Sequence, residues 1–240
     1  MPQPRPLLLL TRPAAQSARF AGQFEGRFGL RFDIITAPVI EIVLYEAPIP
    51  LEGVGGLVFT SENGVAGFAA ATDDRRLPAW CVGDRTARAA RHQGLAARSA
   101  AGTAADLVAA IAADPPAGRV LHLRGEHARG DVCGALTARG IEAEEQIVYA
   151  QRELLLDPQV RQAVAQAPVT LLPLFSPRSA KLVARQLAES PGRLAIVTMS
   201  PAVSAAWTGP APVAFCEAER PDAASMMDAL ESVMAAVELP

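Results

Sequence analysis

Cysteine is scarce in this chain of 240 residues, which contains only Cys81, Cys133 and Cys216. Three widely separated cysteines, no two of them at the close spacing of a metal-binding pair, do not make a disulfide framework or a cysteine-pair zinc site. We therefore predict buried thiols in a protein of the reducing cytoplasm, with no bound metal.

An excess of one charge and long apolar runs are also missing. The formal net charge is −3, so the chain does not have the basic surplus of a general nucleic-acid binder. The apolar run at residues 7–10 is far too short for a membrane span or the core of a signal peptide. We expect neither nucleic acid nor a membrane among its partners.

The common catalytic motifs do not occur either. The chain has no His-Glu-x-x-His, no Gly-x-Ser-x-Gly, no Walker A motif and no clean Gly-x-Gly-x-x-Gly. Of the three histidines, His122 falls inside a predicted strand, where we expect it to pack. His127 follows a strand, and we do not expect it to act as a general base.

The chain does contain several copies of one sequence pattern: a short apolar strand, then Ser or Thr, then the start of a helix. It occurs at residues 7–13, 57–64, 174–179 and 196–201. Each junction brings unpaired backbone N–H groups to the carboxyl end of a strand, where open α/β sheets bind ligands. Several such ends together can bind a highly charged anion without a strongly basic sequence.

The two halves of the chain share these landmarks. Ser176 lies 115 residues after Ser61, and each follows an apolar strand. The other matched landmarks are residue 11 with 124, and segments 29–38 with 140–149, 82–87 with 199–204, and 102–107 with 221–226. The near-constant offsets indicate an internal duplication, the alternative being chance similarity among alanine-rich helices.

Strands and helices alternate along the chain. The predicted strands are residues 7–10, 32–37, 56–60, 79–82, 120–123, 145–149, 170–175, 194–197 and 213–216. The predicted helices are residues 14–26, 64–71, 86–93, 104–113, 130–139, 158–166, 178–187, 202–207 and 223–237. This alternation predicts βαβ units and a mostly parallel sheet in an α/β protein.

The domain boundaries are open at this point. Extended segments at residues 38–42 and 148–152 occupy equivalent places in the two halves and could carry the chain out of one domain and back. The first domain would then be discontinuous, residues 1–37 plus 151–240, with residues 39–148 inserted as the second. A linear split near residue 118 is the simpler alternative.

Arginines lie within a few residues of the junctions, and guanidinium groups suit bidentate binding of carboxylates. They are Arg12, Arg85, Arg124, Arg129 and Arg178. The junction hydroxyls also match plain helix caps, since Ser176 and Ser200 are each followed by proline. The two roles are compatible, so we predict a two-lobed protein with a cleft for a polycarboxylate or phosphate.

Six segments in order across nearly the whole chain resemble the uroporphyrinogen-III synthase family. They are residues 8–13, 59–65, 82–87, 118–125, 147–149 and 175–180. The resemblance implies two similar parallel-sheet, flavodoxin-like lobes joined by a pair of extended strands, with the active site in the cleft between them. It thereby favours the discontinuous domain division.

The resemblance also implies a reaction in tetrapyrrole biosynthesis, without cofactor or metal. The substrate is hydroxymethylbilane, a linear tetrapyrrole with eight carboxylates. Loss of the ring-A hydroxyl gives an azafulvene, and the substituted carbon of ring D attacks it. The resulting spiro intermediate breaks and recloses with ring D inverted. Closure without enzyme gives the uninverted isomer, so the protein must hold a flexible chain in one geometry.

Site residues follow from the same resemblance. Tyr149 matches a hinge tyrosine of the family and is the candidate proton donor to the departing hydroxide; its alternative role is packing at the lobe junction. The candidates for binding substrate carboxylates are Thr11, Arg12, Ser61, Thr86, Arg124, Ser176 and Ser200. At residues 200–204 the family's common Gly-Pro-Thr-Thr-Ala is replaced by Ser-Pro-Ala-Val-Ser, so a hydrogen bond there must come from Ser200, Ser204 or the backbone.

We expect a cytoplasmic monomer that makes transient contact with hydroxymethylbilane synthase. One alternative is a non-catalytic, two-lobed binding protein for a polyanionic small molecule. Another is a nucleotide-dependent transferase, which is disfavoured because Thr11-Arg12-Pro13 stands where a phosphate loop needs glycines. Turnover of hydroxymethylbilane distinguishes the synthase from both.

Overall fold

The computed structural model describes residues 4–127, 130–189 and 192–239. The chain divides into two compact units, Met1–Glu41 with Glu153–Pro240, and Ile42–Arg152. That the predicted segments, residues 1–37 plus 151–240 and residues 39–148, act as separate folding domains stays a prediction.

Strands and helices alternate along the chain, except that β2, β3 and β4 follow one another without a helix between them. The strands are β1 Leu7–Leu10, β2 Asp33–Thr36, β3 Ile40–Leu44, β4 Val54–Phe59, β5 Ala79–Cys81, β6 Ala97–Ser99, β7 Arg119–Gly125, β8 Ala143–Glu153, β9 Thr170–Leu174, β10 Leu194–Thr198 and β11 Ala214–Glu217. The helices are α1 Ala14–Phe28, α2 Glu62–Ala71, α3 Asp84–His92, α4 Ala104–Ala113, α5 Val132–Thr137, α6 Pro158–Gln166, α7 Pro177–Gln186, α8 Pro201–Ser204 and α9 Ala223–Ala236.

The first unit is built on a parallel sheet with the strand order β11-β10-β9-β1-β2. Its interior strand β1 is four leucines, all buried, because a parallel strand covered on both faces must be apolar throughout. Helix α1 buries Phe20, Phe24 and Phe28, which recur every four residues and so share one face. They pack with α9 residues such as Met226 and Leu230 in one core.

The second unit is built on a sheet with the order β3-β8-β7-β4-β5-β6, in which β4 to β8 pair in parallel. Alternate strand residues point to opposite faces, so this sheet has two cores. Leu57 and Leu121 pack with helices α2 and α3 on one face. Val58 and Val120 pack with α4 and α5 on the other.

The two sheets have the same topology once the second is read from β7. Strands β7, β8, β4, β5 and β6 then take the places of β1, β2, β9, β10 and β11, and both sheets have the flavodoxin-like order 2-1-3-4-5. The caps agree as well: Ser61 and Ser176 each accept the N–H three residues on at 3.1 Å. The prediction of two similar parallel-sheet lobes is confirmed.

The thiols are free, and Cys81 and Cys133 are buried as predicted. Burial raises the pKa of the Cys81 thiol to about 12. The prediction of burial is wrong for Cys216, which is half-buried because it lies in β11 at the edge of its sheet. Among the described residues, no helix is long and apolar enough to cross a membrane.

Candidate active site

Ser61 and Tyr149 meet at the carboxyl edge of the second sheet. Ser61 is the N-cap of α2, directly after β4, and Tyr149 lies buried in β8. The Ser61 Oγ and Tyr149 Oη atoms are 3.0 Å apart. Two residues that the sequence singled out separately are therefore hydrogen-bond partners.

The Tyr149 ring, whose hydroxyl contacts Ser61, packs against the backbone of Gly125. Strand β7 separates β8 from β4, and β7 ends at Gly125, where its register with β8 shifts. A Cβ atom on Gly125 would lie 2.5 Å from Tyr149 Cζ and 2.6 Å from Cε2. The missing side chain thus leaves the space that the phenol ring occupies.

Close packing also positions the start of α2. A Cβ atom on Gly64 would lie 2.5 Å from the Leu123 carbonyl oxygen, and one on Gly67 would lie 2.6 Å from that of Val148. These two helical glycines therefore let α2 rest directly on β7 and β8. Ser61, at the N-terminus of this helix, is held in place by the same packing.

Either hydroxyl of the pair can donate to the other. Ser61 Oγ accepts the backbone N–H of Gly64 at 3.1 Å, which leaves the serine proton available for Tyr149 Oη. If serine donates to the phenol oxygen, the phenol proton is free for another acceptor. Tyr149 can then donate a proton while Ser61 stabilises the phenolate that remains.

A second polar cluster follows β7, which sequence reasoning did not identify. The Glu126 backbone N–H donates to the Tyr149 carbonyl at 3.1 Å. Its carboxylate accepts from the Tyr45 hydroxyl and from Arg152 Nη1, the latter at 2.8 Å. The hydrogen bond from Tyr45 and then that from Arg152 lower the pKa of Glu126, whereas the bond to Glu126 raises the pKa of Tyr45.

The other candidates of the second unit lie near the same edge. Arg124, in β7, donates from Nε to Glu145 Oε2 at 2.6 Å and from Nη1 to the Gly125 carbonyl at 2.9 Å. Thr86 is buried at the third position of α3. Their roles in binding substrate carboxylates stay predictions.

In the first unit, the four candidates follow β1, β9 and β10. Thr11 is buried, and the Arg12 guanidinium carbon lies 4.2 Å from the centroid of the Phe175 ring. Ser176 caps α7 and also donates to Ser179 Oγ at 2.9 Å. The N-cap of α8 is Ser200, whose carbonyl accepts the Ser204 backbone N–H at 3.0 Å.

The junction that departs from the family pattern carries its own hydrogen bonds. Ser204 Oγ donates to Glu217 Oε2 at 2.5 Å and lies 2.7 Å from Thr198 Oγ1. Ser204, one of the three alternatives for a hydrogen bond to substrate at this junction, is thus paired with a carboxylate. Of the junction arginines, Arg85 pairs with Glu62, and Arg129 lies outside the described residues.

One group, in which His122 and Cys133 are buried and Glu145 is exposed, is a candidate for holding a metal. His122 is packed inside β7, as predicted, and burial lowers its pKa to about 4, so its imidazole is neutral at pH 7. Among the described residues, His122, Cys133 and Glu145 have ligand atoms within 4.8 Å of one another. Sequence reasoning missed this group because its members come together only through strand pairing and a helix crossing.

Comparisons with known proteins agree with this architecture. The family model described as uroporphyrinogen-III synthase HemD matches residues 23–228. The structure of uroporphyrinogen-III synthetase from Helicobacter pylori 26695 is similar with a TM-score of 0.64 and 13% identity, covering 95% of this chain and 99% of that one. A mutant uroporphyrinogen III synthase from Thermus thermophilus is similar with a TM-score of 0.53 and 17% identity, covering 97% and 99%. No curated protein matches the chain.

Proposed function

This chain belongs to the uroporphyrinogen-III synthase HemD family, and from that premise we propose how its residues carry out the reaction. As a uroporphyrinogen-III synthase, it is an enzyme of tetrapyrrole biosynthesis that acts on hydroxymethylbilane. The non-catalytic binding protein and the nucleotide-dependent transferase are not favoured. The proposal concerns the reaction class, the proton donor and the groups that bind substrate.

The proposed reaction is a cyclising loss of water, which places the enzyme among the lyases. The hydroxyl of the ring-A hydroxymethyl group takes a proton and leaves as water, and the substituted carbon of ring D attacks the resulting azafulvene to form a spiro intermediate. The bond between this ring-D carbon and the bridge from ring C then breaks, and the bridge bonds instead to the free carbon of ring D, which inverts the ring. The new carbon–carbon bond expels a ring proton, which restores the proton donor. The balance is complete without an oxidant, a reductant or a metal ion.

In this proposal Tyr149 donates the proton to the leaving hydroxyl. The observation that carries it is the 3.0 Å contact between Ser61 Oγ and Tyr149 Oη. Because Ser61 Oγ already accepts the Gly64 N–H, its own proton can stabilise the phenolate. The N-terminus of α2, whose partial charge is positive, favours that negative charge as well.

The substrate carboxylates are proposed to bind at the strand-to-helix junctions. Support comes from the placement of the candidates at the carboxyl ends of strands, where helix N-termini present free N–H groups. The candidates are Thr11, Arg12, Ser176 and Ser200 in the first unit, and Ser61, Thr86 and Arg124 in the second. Their combined task is to select one conformation of a flexible tetrapyrrole.

We also propose a cytoplasmic, monomeric enzyme that makes transient contact with hydroxymethylbilane synthase. The support is chemical: hydroxymethylbilane closes to the uninverted isomer unaided, so rapid transfer between the two enzymes protects the product. Sedimentation of the two enzymes, alone and mixed, tests the oligomeric state and the contact.

The test of the main proposal is a coupled assay. Porphobilinogen and hydroxymethylbilane synthase generate the substrate, and the uroporphyrin isomers are oxidised and resolved with and without this protein. The wild-type chain is expected to yield mainly isomer III. Tyr149→Phe should slow isomer III formation by about 10² to 10⁴-fold, the usual contribution of a general acid.

The matched control is Tyr45→Phe, which removes the hydroxyl of the chain's other tyrosine. Tyr45 pairs with Glu126 and not with Ser61, so its loss should change the rate by only a few-fold. A Tyr149→Phe enzyme as active as wild type would exclude Tyr149 as the donor. Isomer I alone from folded wild-type protein would contradict the synthase function itself.

A further inference from the structure

The group of His122, Cys133 and Glu145 lies on the face of the second sheet covered by α4 and α5. His122 in β7 and Glu145 in β8 are direct register partners. Cys133 lies in α5, the helix that packs on this face. Their ligand atoms all lie within 4.8 Å of one another, so strand pairing and a helix crossing bring three metal-ligand types to one place.

The His122 ring has one nitrogen engaged and one available. Nε2 lies 3.2 Å from Thr60 Oγ1. Nδ1 is buried and has no hydrogen-bond partner among the residues that the structure describes. Its nearest carboxylate oxygen, Glu145 Oε1, is 3.8 Å away, which is beyond a hydrogen bond. A side chain that is only 2% exposed therefore points an unpaired nitrogen into the group.

The other two residues also have a donor atom to offer. Arg124 Nε binds Glu145 Oε2 at 2.6 Å, which leaves Oε1 as the oxygen that faces the histidine. Cys133 Sγ donates a hydrogen bond of 3.4 Å to the Glu144 carbonyl, and the sulfur lone pairs are available to an ion. The Glu145 side chain is 31% exposed, so an ion has a path from solvent.

We propose that His122 Nδ1, Cys133 Sγ and Glu145 Oε1 bind one Zn²⁺ ion, with water as the fourth ligand. Zinc accepts mixed nitrogen, sulfur and oxygen ligands in tetrahedral geometry. Bond lengths of about 2.0–2.3 Å place such ligands about 3.5 Å apart, so the donor atoms need to approach by about 1 Å. The thiol proton passes to solvent as sulfur binds as thiolate.

Thr60 supplies the supporting contact that zinc-bound histidines have. When Nδ1 binds the ion, Nε2 carries the ring proton and donates it to Thr60 Oγ1, which orients the ring. Thr60 directly precedes Ser61, so zinc would also order the start of α2. The inference does not depend on the proposed function, because none of the three ligands is the proposed proton donor. The test also measures metal binding and not catalysis.

The test titrates full-length, chelator-stripped protein with ZnCl₂ against a chromophoric competitor. One ion per chain is expected, with one proton released. Cys133→Ser and Glu145→Gln should each weaken zinc binding by at least about tenfold. Cys216→Ser, which removes a thiol of the other unit, is the matched control and should leave binding unchanged. Cobalt(II) in the same site should show a thiolate charge-transfer band that only Cys133→Ser removes.

Circular dichroism of each variant checks folding. Should a variant not fold, alkylation of the wild-type thiols, mapped by mass spectrometry, gives the answer in the unmodified chain. Zinc must then slow modification of Cys133 and leave that of Cys216 unchanged. The proposal fails if zinc does not bind stoichiometrically, if Cys133→Ser binds it as tightly as wild type, if cobalt shows no thiolate band, or if zinc leaves Cys133 unprotected.

Discussion

Alanine at position 125 is expected to separate Tyr149 from Ser61 while the fold survives. The new Cβ atom would lie 2.5 Å from Tyr149 Cζ, 2.6 Å from Cε2 and 3.0 Å from Oη. Carbon atoms pack at about 3.5–4.0 Å, so the ring must move by about 1 Å. Such a movement lengthens the 3.0 Å contact with Ser61 Oγ beyond hydrogen-bond distance.

Two magnitudes follow from this displacement. Overpacking of this kind costs about 1–3 kcal/mol in the free energy of unfolding. A reacting group misplaced by about 1 Å costs about 10²-fold in rate. The measurements are urea unfolding of the purified protein and the initial rate of isomer III formation in the coupled assay.

Gly22→Ala is the matched control for Gly125→Ala. Gly22 lies inside α1, and a Cβ atom there meets nothing within 4 Å. Alanine should therefore stabilise the helix by about 0.5–1 kcal/mol and leave the rate unchanged. In a Tyr149→Phe background, Gly125→Ala should cost little further activity, because the two changes act on one interaction. A Gly125→Ala enzyme with wild-type rate and stability would refute the reasoning.

Three further predictions concern the core, a cap and a carboxylate. Phe24→Ala should lower the free energy of unfolding by about 3–5 kcal/mol in urea titrations, because this fully buried ring packs against Phe28 and Phe32 at 4.9 and 5.0 Å. Ser61→Ala and Thr103→Ala each remove a helix cap and should each lower the free energy of unfolding by about 1 kcal/mol. Only Ser61→Ala should also slow isomer III formation in the coupled assay. Equal rates for the two variants would contradict the role of Ser61 beside Tyr149. The hydrogen bond from Tyr45 and then that from Arg152 lower the pKa of Glu126 below its ordinary 4.5, so its contribution to stability is complete above pH 4.5 and is lost as the pH falls through the lowered value. The difference in unfolding temperature between wild type and Glu126→Gln should shrink over that range, and a difference independent of pH would be contrary evidence.

Much of the fold was predictable because both faces of each parallel sheet are covered. Strands such as β1 are then short and wholly apolar, and α4 and α6 have the predicted bounds, residues 104–113 and 158–166. The missed strand was β6, three residues long with an exposed Arg98 at its centre, which has no apolar pattern. Strand β3 was predicted only as an extended segment, and α8 ends after four residues where six were expected.

The residues of the candidate site could be predicted from the sequence, but the contacts between them could not. Ser61 and Tyr149 each stand out locally, one as a helix cap and the other through a family resemblance. Their pairing depends on the strand order β8-β7-β4 and on the space left by Gly125. Neither of these can be predicted from a local sequence pattern. The spacing of the cysteines excluded a metal site built on a pair of cysteines. It could not predict a group in which Cys133 lies beside a histidine and a carboxylate from two strands.

The interrupted first sheet has a consequence for synthesis of the chain on the ribosome. Strand β9 begins 134 residues after β2 ends, yet it pairs directly with β1. At about 5–20 residues per second, β1 waits roughly 7 to 27 s after β2 is complete until β9 is synthesised, with one edge open to unwanted pairing. We predict that the inserted unit folds first and so shortens the search of β9 for β1, because β3 and β8 are neighbours in its sheet and bring the two ends of the insertion together. Under that prediction the nascent chain closes a short loop around a folded unit, at a lower entropic cost than a long flexible one.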